Sequence, residues 1–104
     1  MNATAKKVEE LITKALAAGF AIETTVDDWY LAKITYTTLT YRTEPNKGPW
    51  RVIYLTISEP KTRGRYAVKV RTHTIHSFVP VVKKAGWWDA YWAIKQAIAD
   101  GGAK

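Results

Sequence analysis

Residues 50–58 (WRVIYLTIS) and 65–73 (RYAVKVRTH) decide the fold, because both segments are rich in β-branched and aromatic residues. Residues 59–64 (EPKTRG) lie between them and contain the proline and glycine that are typical of turns. The sequence therefore predicts a β-hairpin of two antiparallel strands.

The register of this hairpin follows from the alternation of side chains between the two faces of a strand. One clean apolar face results from pairing Ile57 with Tyr66, Leu55 with Val68 and Ile53 with Val70. The opposite face then mixes aromatic, small and cationic residues, namely Trp50, Val52, Tyr54, Thr56, Ser58, Arg65, Ala67, Lys69, Arg71 and His73. The other parity would bury cations without partners, which is strongly unfavourable.

The composition is that of an ordinary globular protein, with 104 residues, 47% of them hydrophobic and 24% charged. The length predicts one domain over residues 1–104, and the composition argues against disorder. The absence of cysteine excludes disulfides, a thiolate nucleophile and a cysteine-ligated zinc site. The chain shows neither a secretory signal nor an apolar run of about 20 residues, so we expect a soluble, cytoplasmic protein without membrane contact.

Positive charge is concentrated in the hairpin half of the chain. The net charge is +7, from 16 Lys and Arg against 9 Asp and Glu. Residues 46–84 contain one acidic residue, Glu59. Against it stand nine basic residues, namely Lys47, Arg51, Lys61, Arg63, Arg65, Lys69, Arg71, Lys83 and Lys84. This distribution indicates a polyanion or an acidic protein as the partner.

An amphipathic helix is predicted over residues 4–18. Its apolar residues are spaced to form one stripe, with Val8, Leu11, Ile12, Ala15 and Leu16 at i, i+3, i+4, i+7 and i+8. Gly19 stands where a left-handed residue ends a helix, and Phe20 is placed to fold back onto it.

Two strands are predicted before the hairpin. Residues 20–26 form the first, which Asp27 and Asp28 end. Residues 29–43 are rich in threonine and are either one strand or a turn followed by a strand. Within them, Ile34 and Leu39 have opposite parity, and a β-bulge near residues 37–38 would bring both to one face. Residues 44–49 contain the turn that leads into the hairpin.

The strand after residue 73 is predicted to continue through residues 75–78, where Pro80 ends it or marks a sheet edge. Residues 83–86 are interpreted as a basic connector. A second helix then runs from Trp87 to the glycines at 101–102, with an apolar arc wider than one stripe. Such a helix is either wedged between layers or exposes an aromatic edge, and the sequence does not fix which face of the sheet it covers.

The predicted fold class is α+β, with element order α-β-β-β-β-α and an antiparallel sheet of about four strands. Gly48-Pro49 and Lys83-Lys84, in this order of elements, resemble two signatures of double-stranded RNA-binding domains. The chain departs from that family in having no histidine after Gly48-Pro49 and in placing Gly86-Trp87-Trp88 after the lysines. We do not assign it to the family.

The mixed hairpin face is the leading candidate site. Proteins bind single-stranded nucleic acid by stacking bases on aromatic rings set among cations that neutralise phosphates. The expected contact residues for RNA or DNA, with single strands favoured, are Trp50, Tyr54, Lys61, Arg63, Arg65, Lys69, Arg71, Lys83 and Lys84. The opposing structural interpretation is that the C-terminal helix covers Trp50, Val52 and Tyr54, with the cations reaching outward at the edge.

Two other functions remain open. The aromatic residues of the second helix would suit an inhibitor or assembly factor that binds an acidic partner or a second copy, through Trp87, Trp88, Tyr91 and Trp92. An aromatic-lined cup between this helix and the sheet would instead suit a small apolar or cationic ligand.

The sequence does not predict an enzyme, a metal site or a cofactor. His73 and His76 are three apart, which places them on opposite faces of a strand. Glu59-Pro60-Lys61 matches an element that some nucleases carry, with Asp27 or Asp28 as a second carboxylate, although Pro60 more simply marks a turn. No spacing indicates an activated nucleophile or a phosphate-binding glycine loop.

Overall fold

The fold is a five-stranded antiparallel sheet with a helix at each end of the chain. A computed structural model describes residues 3–44, 47–62, 64–76 and 79–99. Its elements are α1 (Ala3–Ala17), β1 (Ala21–Asp28), β2 (Ala32–Glu44), β3 (Lys47–Pro60), β4 (Ala67–His76), β5 (Val79–Ala85) and α2 (Trp87–Ala99). The strands lie in the order β1-β2-β3-β4-β5, and each is antiparallel to its neighbours. The predicted α+β class is confirmed, with five strands in place of about four.

Helix α1 ends as its sequence predicts. Gly19 adopts a positive φ of 99°, a conformation that costs glycine little because it has no Cβ. The N–H of Phe20 donates to the carbonyl of Ala15, and the N–H of Gly19 donates to that of Leu16. This is the Schellman arrangement of a helix C-terminus. It turns the chain so that the Phe20 ring is buried against Tyr41, with 5.5 Å between ring centroids.

The hydrophobic core lies between the sheet and the two helices, which pack on one face of it. Leu39 of β2 and Ile53 of β3 are directly opposite each other, and both are fully buried. They join Leu11 of α1 and Ile94 of α2 in one cluster. Helix α2 also contributes small buried residues, Ala90, Ala93 and Ala97, which favour a close approach to the sheet. We call this side the helix-covered face and the other side the open face.

The predicted parity of the hairpin is correct, but its register is wrong by two residues. Ile57 pairs with Val68 rather than Tyr66, and the other pairs shift equally to Leu55 with Val70 and Ile53 with Thr72. The cause lies in β2, because Glu59 and Pro60 continue the ladder opposite Lys33 and Ala32 and so do not begin the turn. The connection between β3 and β4 is therefore longer than the predicted turn at residues 59–64. Gly64, within this connection, has a φ of 129°.

The predicted β-bulge near residues 37–38 is wrong. The β2–β3 ladder is regular from Ala32 to Arg42, and its irregularity falls between Arg42 and Glu44. Thr37 therefore occupies a buried position on the helix-covered face, and Ile34 and Tyr36 lie on the open face. Strand β1 also extends through Asp28, two residues beyond its predicted end, and β2 begins after a turn in which the N–H of Trp29 donates to the carbonyl of Ala32.

The basic connector expected at residues 83–86 is instead the end of the fifth strand. Lys84 pairs with Thr72 and Ala85 with Arg71, so this segment forms one edge of the sheet. Gly86 alone separates β5 from α2, and its carbonyl accepts the N–H of Ala90 at the first turn of the helix. Several predicted features lie outside the described residues, namely the centre of the turn at 45–46, the strand continuation at 77–78 and the helix end at 101–102.

Neither α1 nor α2 is long and apolar enough to cross a membrane, and these are the helices within the part of the chain that the structure describes.

Candidate nucleic-acid interface

Neither α1 nor α2, the helices of the described residues, covers the open face. Helices α1 and α2 contact each other and belong to the core on the opposite side of the sheet. The interpretation in which α2 covers Trp50, Val52 and Tyr54 is therefore wrong. Val52 is nevertheless buried, so the neighbouring open-face side chains cover it. Tyr54, Lys69 and Arg71 are exposed.

A shallow cavity of about 370 Å³ lies at the centre of the open face. Its floor follows from the register, because Tyr54 is directly opposite Arg71 and Thr56 is directly opposite Lys69. The cavity is lined by Tyr54, Thr56, Lys69, Arg71 and His73. An aromatic ring, a hydroxyl and two permanent cations thus converge on one concave site.

The ring of Tyr54 stands against the imidazole of His73. Their centroids are 5.1 Å apart and their planes are inclined by 69°, an edge-to-face arrangement. This contact orients the Tyr54 ring while 36% of the residue remains exposed. His73 lies on the open face, as the sequence predicts. The sequence analysis considered its imidazole only as a metal ligand and not as a contact of Tyr54.

Trp50 is less available than the sequence suggests. The guanidinium carbon of Arg42, which is directly opposite on β2, lies 3.8 Å from the centre of the Trp50 ring. This distance is that of a close cation–π contact, so Arg42 occupies one side of the indole. Arg42 was not among the predicted site residues. The pair presents a planar cation in place of a bare ring.

Tyr36 is a candidate that the sequence interpretation missed. It lies on the open face opposite Thr56, with 42% of its surface exposed. Tyr36 and Tyr54 therefore occupy diagonal positions on neighbouring strands, where side chains are about 7 to 8 Å apart and still within reach of one another. The predicted bulge had placed Tyr36 on the apolar face. Unbroken alternation through Thr38, Thr40 and Arg42 is the sequence signal that would have identified it.

The predicted cations lie at several different places on the sheet. Lys69 and Arg71 flank the central cavity, and Arg65 is exposed in the connection before β4. Lys84 is paired with Thr72 and so has the parity of the helix-covered face, yet it also lines an edge cavity of about 310 Å³ with Arg71, His73 and Ala85. The backbone of Lys83 pairs with His73, whereas its side chain and all of Arg63 are outside the described residues.

Lys61 is engaged elsewhere. Its ammonium forms an ion pair with the carboxylate of Asp28, and its N–H donates to the carbonyl of Leu31 at 3.0 Å. The hydrogen bond and charge of Lys61 lower the pKa of Asp28 below its usual value, and Lys33 adds to the effect. These contacts fasten the β3–β4 connection to the β1–β2 turn. Among the predicted cations, Lys61 therefore has a role in holding two turns together.

The aromatic residues of α2 face two directions. Trp87 and Tyr91 pack against the core, and the ammonium groups of Lys7 and Lys14 lie 4.8 Å and 5.3 Å from their respective ring centroids. Trp88 and Trp92 point away from the core and stack on each other, with centroids 6.4 Å apart and planes inclined by 18°. Trp88 is 76% exposed.

A groove of about 260 Å³ runs between α2 and the sheet, where a ligand-binding cup was expected. It has one aromatic residue in its lining, which consists of Arg51, Thr72, Thr74, Lys84, Asp89, Trp92, Ala93 and Gln96. The interior of the α2–sheet contact is filled by buried alanines and Ile94. A small-ligand function stays a prediction.

The carboxylates of the nuclease-like element have lysine partners. Glu59 lies 4.0 Å from the Lys33 ammonium, directly across the β2–β3 ladder, and Asp28 pairs with Lys61. Within the ranges that the structure describes, no three His, Cys, Asp or Glu residues are grouped so as to hold a metal ion.

Comparison of the chain with family models, with curated proteins and with solved structures found no match. Lys83 and Lys84, which resemble one signature of double-stranded RNA-binding domains, lie in β5.

Proposed function

We propose that this protein binds single-stranded nucleic acid on the open face of its sheet. The observation that carries the proposal is the cavity in which the exposed ring of Tyr54 adjoins Lys69 and Arg71 on a sheet surface that neither helix covers. Stacking surfaces and phosphate-neutralising cations are the two parts that such binding needs, and here they share one surface.

Stacking is assigned to Tyr36 and Tyr54, the two exposed tyrosines of the open face. Tyr54 is held edge-on by His73, so its ring is ordered before a ligand arrives. Tyr36 lies diagonally across the neighbouring strand and offers a second ring for an adjacent base. A base stacked on an aromatic ring contributes about 1 to 3 kcal/mol to binding, whatever its identity. The Arg42–Trp50 pair extends the surface with a guanidinium plane, on which bases also stack.

Phosphate neutralisation is assigned to Lys69 and Arg71, with Arg65 and Lys84 at the borders. Contacts from these side chains to phosphate oxygens position the strand without reading its sequence. The net charge of +7 adds long-range attraction for a polyanion. We therefore expect little sequence preference.

A single strand suits this surface better than a duplex does. The rings stand on a broad sheet, and a base reaches them only when it is free of its pairing partner and its stack. In a duplex the bases are inaccessible to such a surface, which leaves only the phosphate contacts. The expected order of affinity is thus single strand above duplex at equal salt.

The experiment is a fluorescence anisotropy titration of labelled single-stranded and duplex oligonucleotides. If about four phosphates are neutralised, single-strand affinity falls about fifty-fold between roughly 50 and 200 mM salt. Removing two phosphate contacts with Lys69→Ala and Arg71→Ala together weakens binding about tenfold or more and flattens the salt dependence.

The matched control removes the same charge from the helix layer with Lys6→Ala and Lys95→Ala, both exposed there. Equal losses in the two double variants would show that net charge alone is responsible and would overturn the proposed site. Absence of binding at the lower salt concentration would overturn the function.

A second candidate function rests on Trp88 and Trp92. An exposed pair of stacked indoles on a helix is the kind of anchor that protein interfaces use. A partner bound there would be retained at high salt, and its binding would be lost on Trp88→Ser but kept on Lys69→Ala. Pull-down experiments with these two variants separate this function from nucleic-acid binding.

A further inference from the structure

The two edges of the sheet are protected to very different degrees. Edge strands usually carry lysine or proline, which discourage pairing with another chain. Strand β5 follows this rule with Pro80, Lys83 and Lys84. Strand β1 (AIETTVDD) contains neither lysine nor proline, its charged residues are the carboxylates Glu23, Asp27 and Asp28, and all eight of its residues are exposed.

Strand β1 also has apolar side chains that the helices leave uncovered. Ile22 is directly opposite Leu39 and therefore lies on the helix-covered face, yet it is 44% exposed. Val26, four residues on, is 53% exposed. The turn that follows adds the exposed Trp29, Tyr30 and Leu31. An edge strand and several exposed apolar side chains thus coincide at one side of the sheet.

We propose that β1 pairs antiparallel with β1 of a second copy of this chain, with Thr24 next to the two-fold axis. Antiparallel pairing about an axis perpendicular to the sheet keeps both open faces on one side and both helix layers on the other. The two five-stranded sheets then form one continuous sheet. The interface is isologous, as in most homodimers.

The side-chain pattern of β1 selects this register. Directly opposite residues must share a face, so the residue on the axis pairs with its own copy and every other pair has matching parity. With Thr24 on the axis, Ile22 of each copy lies opposite Val26 of the other. Centring on Glu23 would oppose two carboxylates, and centring on Thr25 would oppose Ile22 and Asp28. Of these three registers, only the one centred on Thr24 places Ile22 opposite an apolar residue of the other copy.

Antiparallel pairing also brings the turn after β1 of one copy toward the start of β1 of the other, where α1 ends. Leu16 is exposed on the last turn of α1. The exposed apolar side chains of the turn therefore lie toward an exposed apolar residue of the partner copy.

Charge and size indicate a weak, reversible dimer. Glu23 and Asp27 of the two copies lie near one another diagonally across the axis, and like charges at such positions oppose association. The strand, its turn and the end of α1 supply about half of the 20 to 30 residues per side in a standard interface. Added salt screens the carboxylates, so dimer formation strengthens with salt, whereas nucleic-acid binding weakens. The two proposals thus fail or succeed separately.

The test combines sedimentation with introduced cysteines, since the natural chain has none. Thr24→Cys places two thiols directly across the axis, where Cβ atoms about 4.5 to 5.5 Å apart are near disulfide geometry. Thr13→Cys, on the exposed surface of α1, is the control for random collisions. Ile22→Cys is the control for register, because its two thiols would be about 13 Å apart along the strand.

We expect Thr24→Cys to form disulfide-linked dimers at least tenfold faster than either control under mild oxidation. Sedimentation of the unmodified chain should show a monomer–dimer equilibrium that Val26→Lys weakens at least tenfold. Equal cross-linking rates, or a sedimenting species unaffected by Val26→Lys, would overturn the proposal. A dimer abolished instead by Trp88→Ser would overturn it as well, by placing the interface on α2.

Discussion

The two faces of the sheet are built from the same strands but have opposite properties. Leu55 is buried in the core, whereas Tyr54, its neighbour in sequence, is exposed beside two cations. Alternation along β3 and β4 therefore separates the residues that stabilise the fold from those that we propose contact a ligand. Changes on one face should affect stability and changes on the other should affect binding, even at adjacent positions.

The largest expected effect is on the helix-covered face. Leu55→Ala leaves a cavity in a core position that is 1% exposed, and should reduce the free energy of unfolding by about 2 to 5 kcal/mol. Tyr54→Ala, one residue away, removes an edge contact with His73 and should cost about 1 kcal/mol or less. Urea denaturation of both variants measures the difference. Similar losses for the two would contradict the separation of the faces.

The open face should show the reverse pattern in binding. Tyr54→Ala and Tyr36→Ala should each weaken single-strand affinity by about 1 to 3 kcal/mol, because each removes a stacking surface. Tyr30→Ala is the matched control, since Tyr30 is exposed at the far turn and outside the proposed site. Anisotropy titrations at one salt concentration compare the three. A loss on Tyr30→Ala as large as on Tyr54→Ala would contradict the assignment.

Two tyrosines on the helix side should titrate late. Burial raises the pKa of Tyr66, with smaller contributions from Glu59 and Glu9, and burial and Glu10 raise the pKa of Tyr91. A raised pKa means that folding favours the neutral phenol. The resulting stability is complete below the pKa of the unfolded chain, near 10, and is lost as pH rises through the higher folded value.

Tyrosinate absorbance measures this directly. Tyr66→Phe and Tyr91→Phe should each remove one late-titrating phenol and reduce the loss of stability at alkaline pH. Tyr30→Phe, at an exposed turn, is the control with the same chemical change. If the late-titrating class persists in both single variants and in the double variant, these phenols are not the groups responsible.

The smallest expected effect is at the two turns that Lys61 and Asp28 connect. The pKa of the Asp28 carboxyl is lowered by Lys61, so the contribution of this ion pair is present above the unfolded pKa and is lost as pH falls through the folded value. Lys61→Gln should raise the pKa of Asp28 toward its usual value, as measured by carboxyl NMR titration. The ion pair is exposed, so little change in stability is expected. An unchanged Asp28 titration would contradict the contact.

Local patterns predicted much of this fold. The end of α1 at Gly19 follows from one glycine and one phenylalanine, and the parity of β3 follows from Ile53, Leu55 and Ile57 alternating with polar neighbours. Such features depend on residues close in sequence. The same parity predicts that Tyr54, Lys69 and Arg71 lie together on one face of the sheet.

Features that depend on distant pairing were not predictable in this way. The hairpin register was wrong because Pro60 continues a ladder with Ala32, a contact that no local pattern in the hairpin contains. Tyr36 was missed for a different reason, because the predicted β-bulge assigned it to the apolar face, whereas the β2–β3 ladder is regular at that position. The engagement of Lys61 by Asp28 likewise joins two turns that are far apart in sequence.

The most direct test of the proposed site is an NMR measurement of contacts between a bound oligonucleotide and the protein side chains. A short single strand added to isotope-labelled protein should give intermolecular NOEs from base protons to the rings of Tyr54 and Tyr36. The buried methyl groups of Ile53 and Leu55, on the same strand but the other face, should give none. NOEs confined to Trp88 and Trp92, or a bound strand with no contact to Tyr54, would contradict the proposal that the open face is the binding surface.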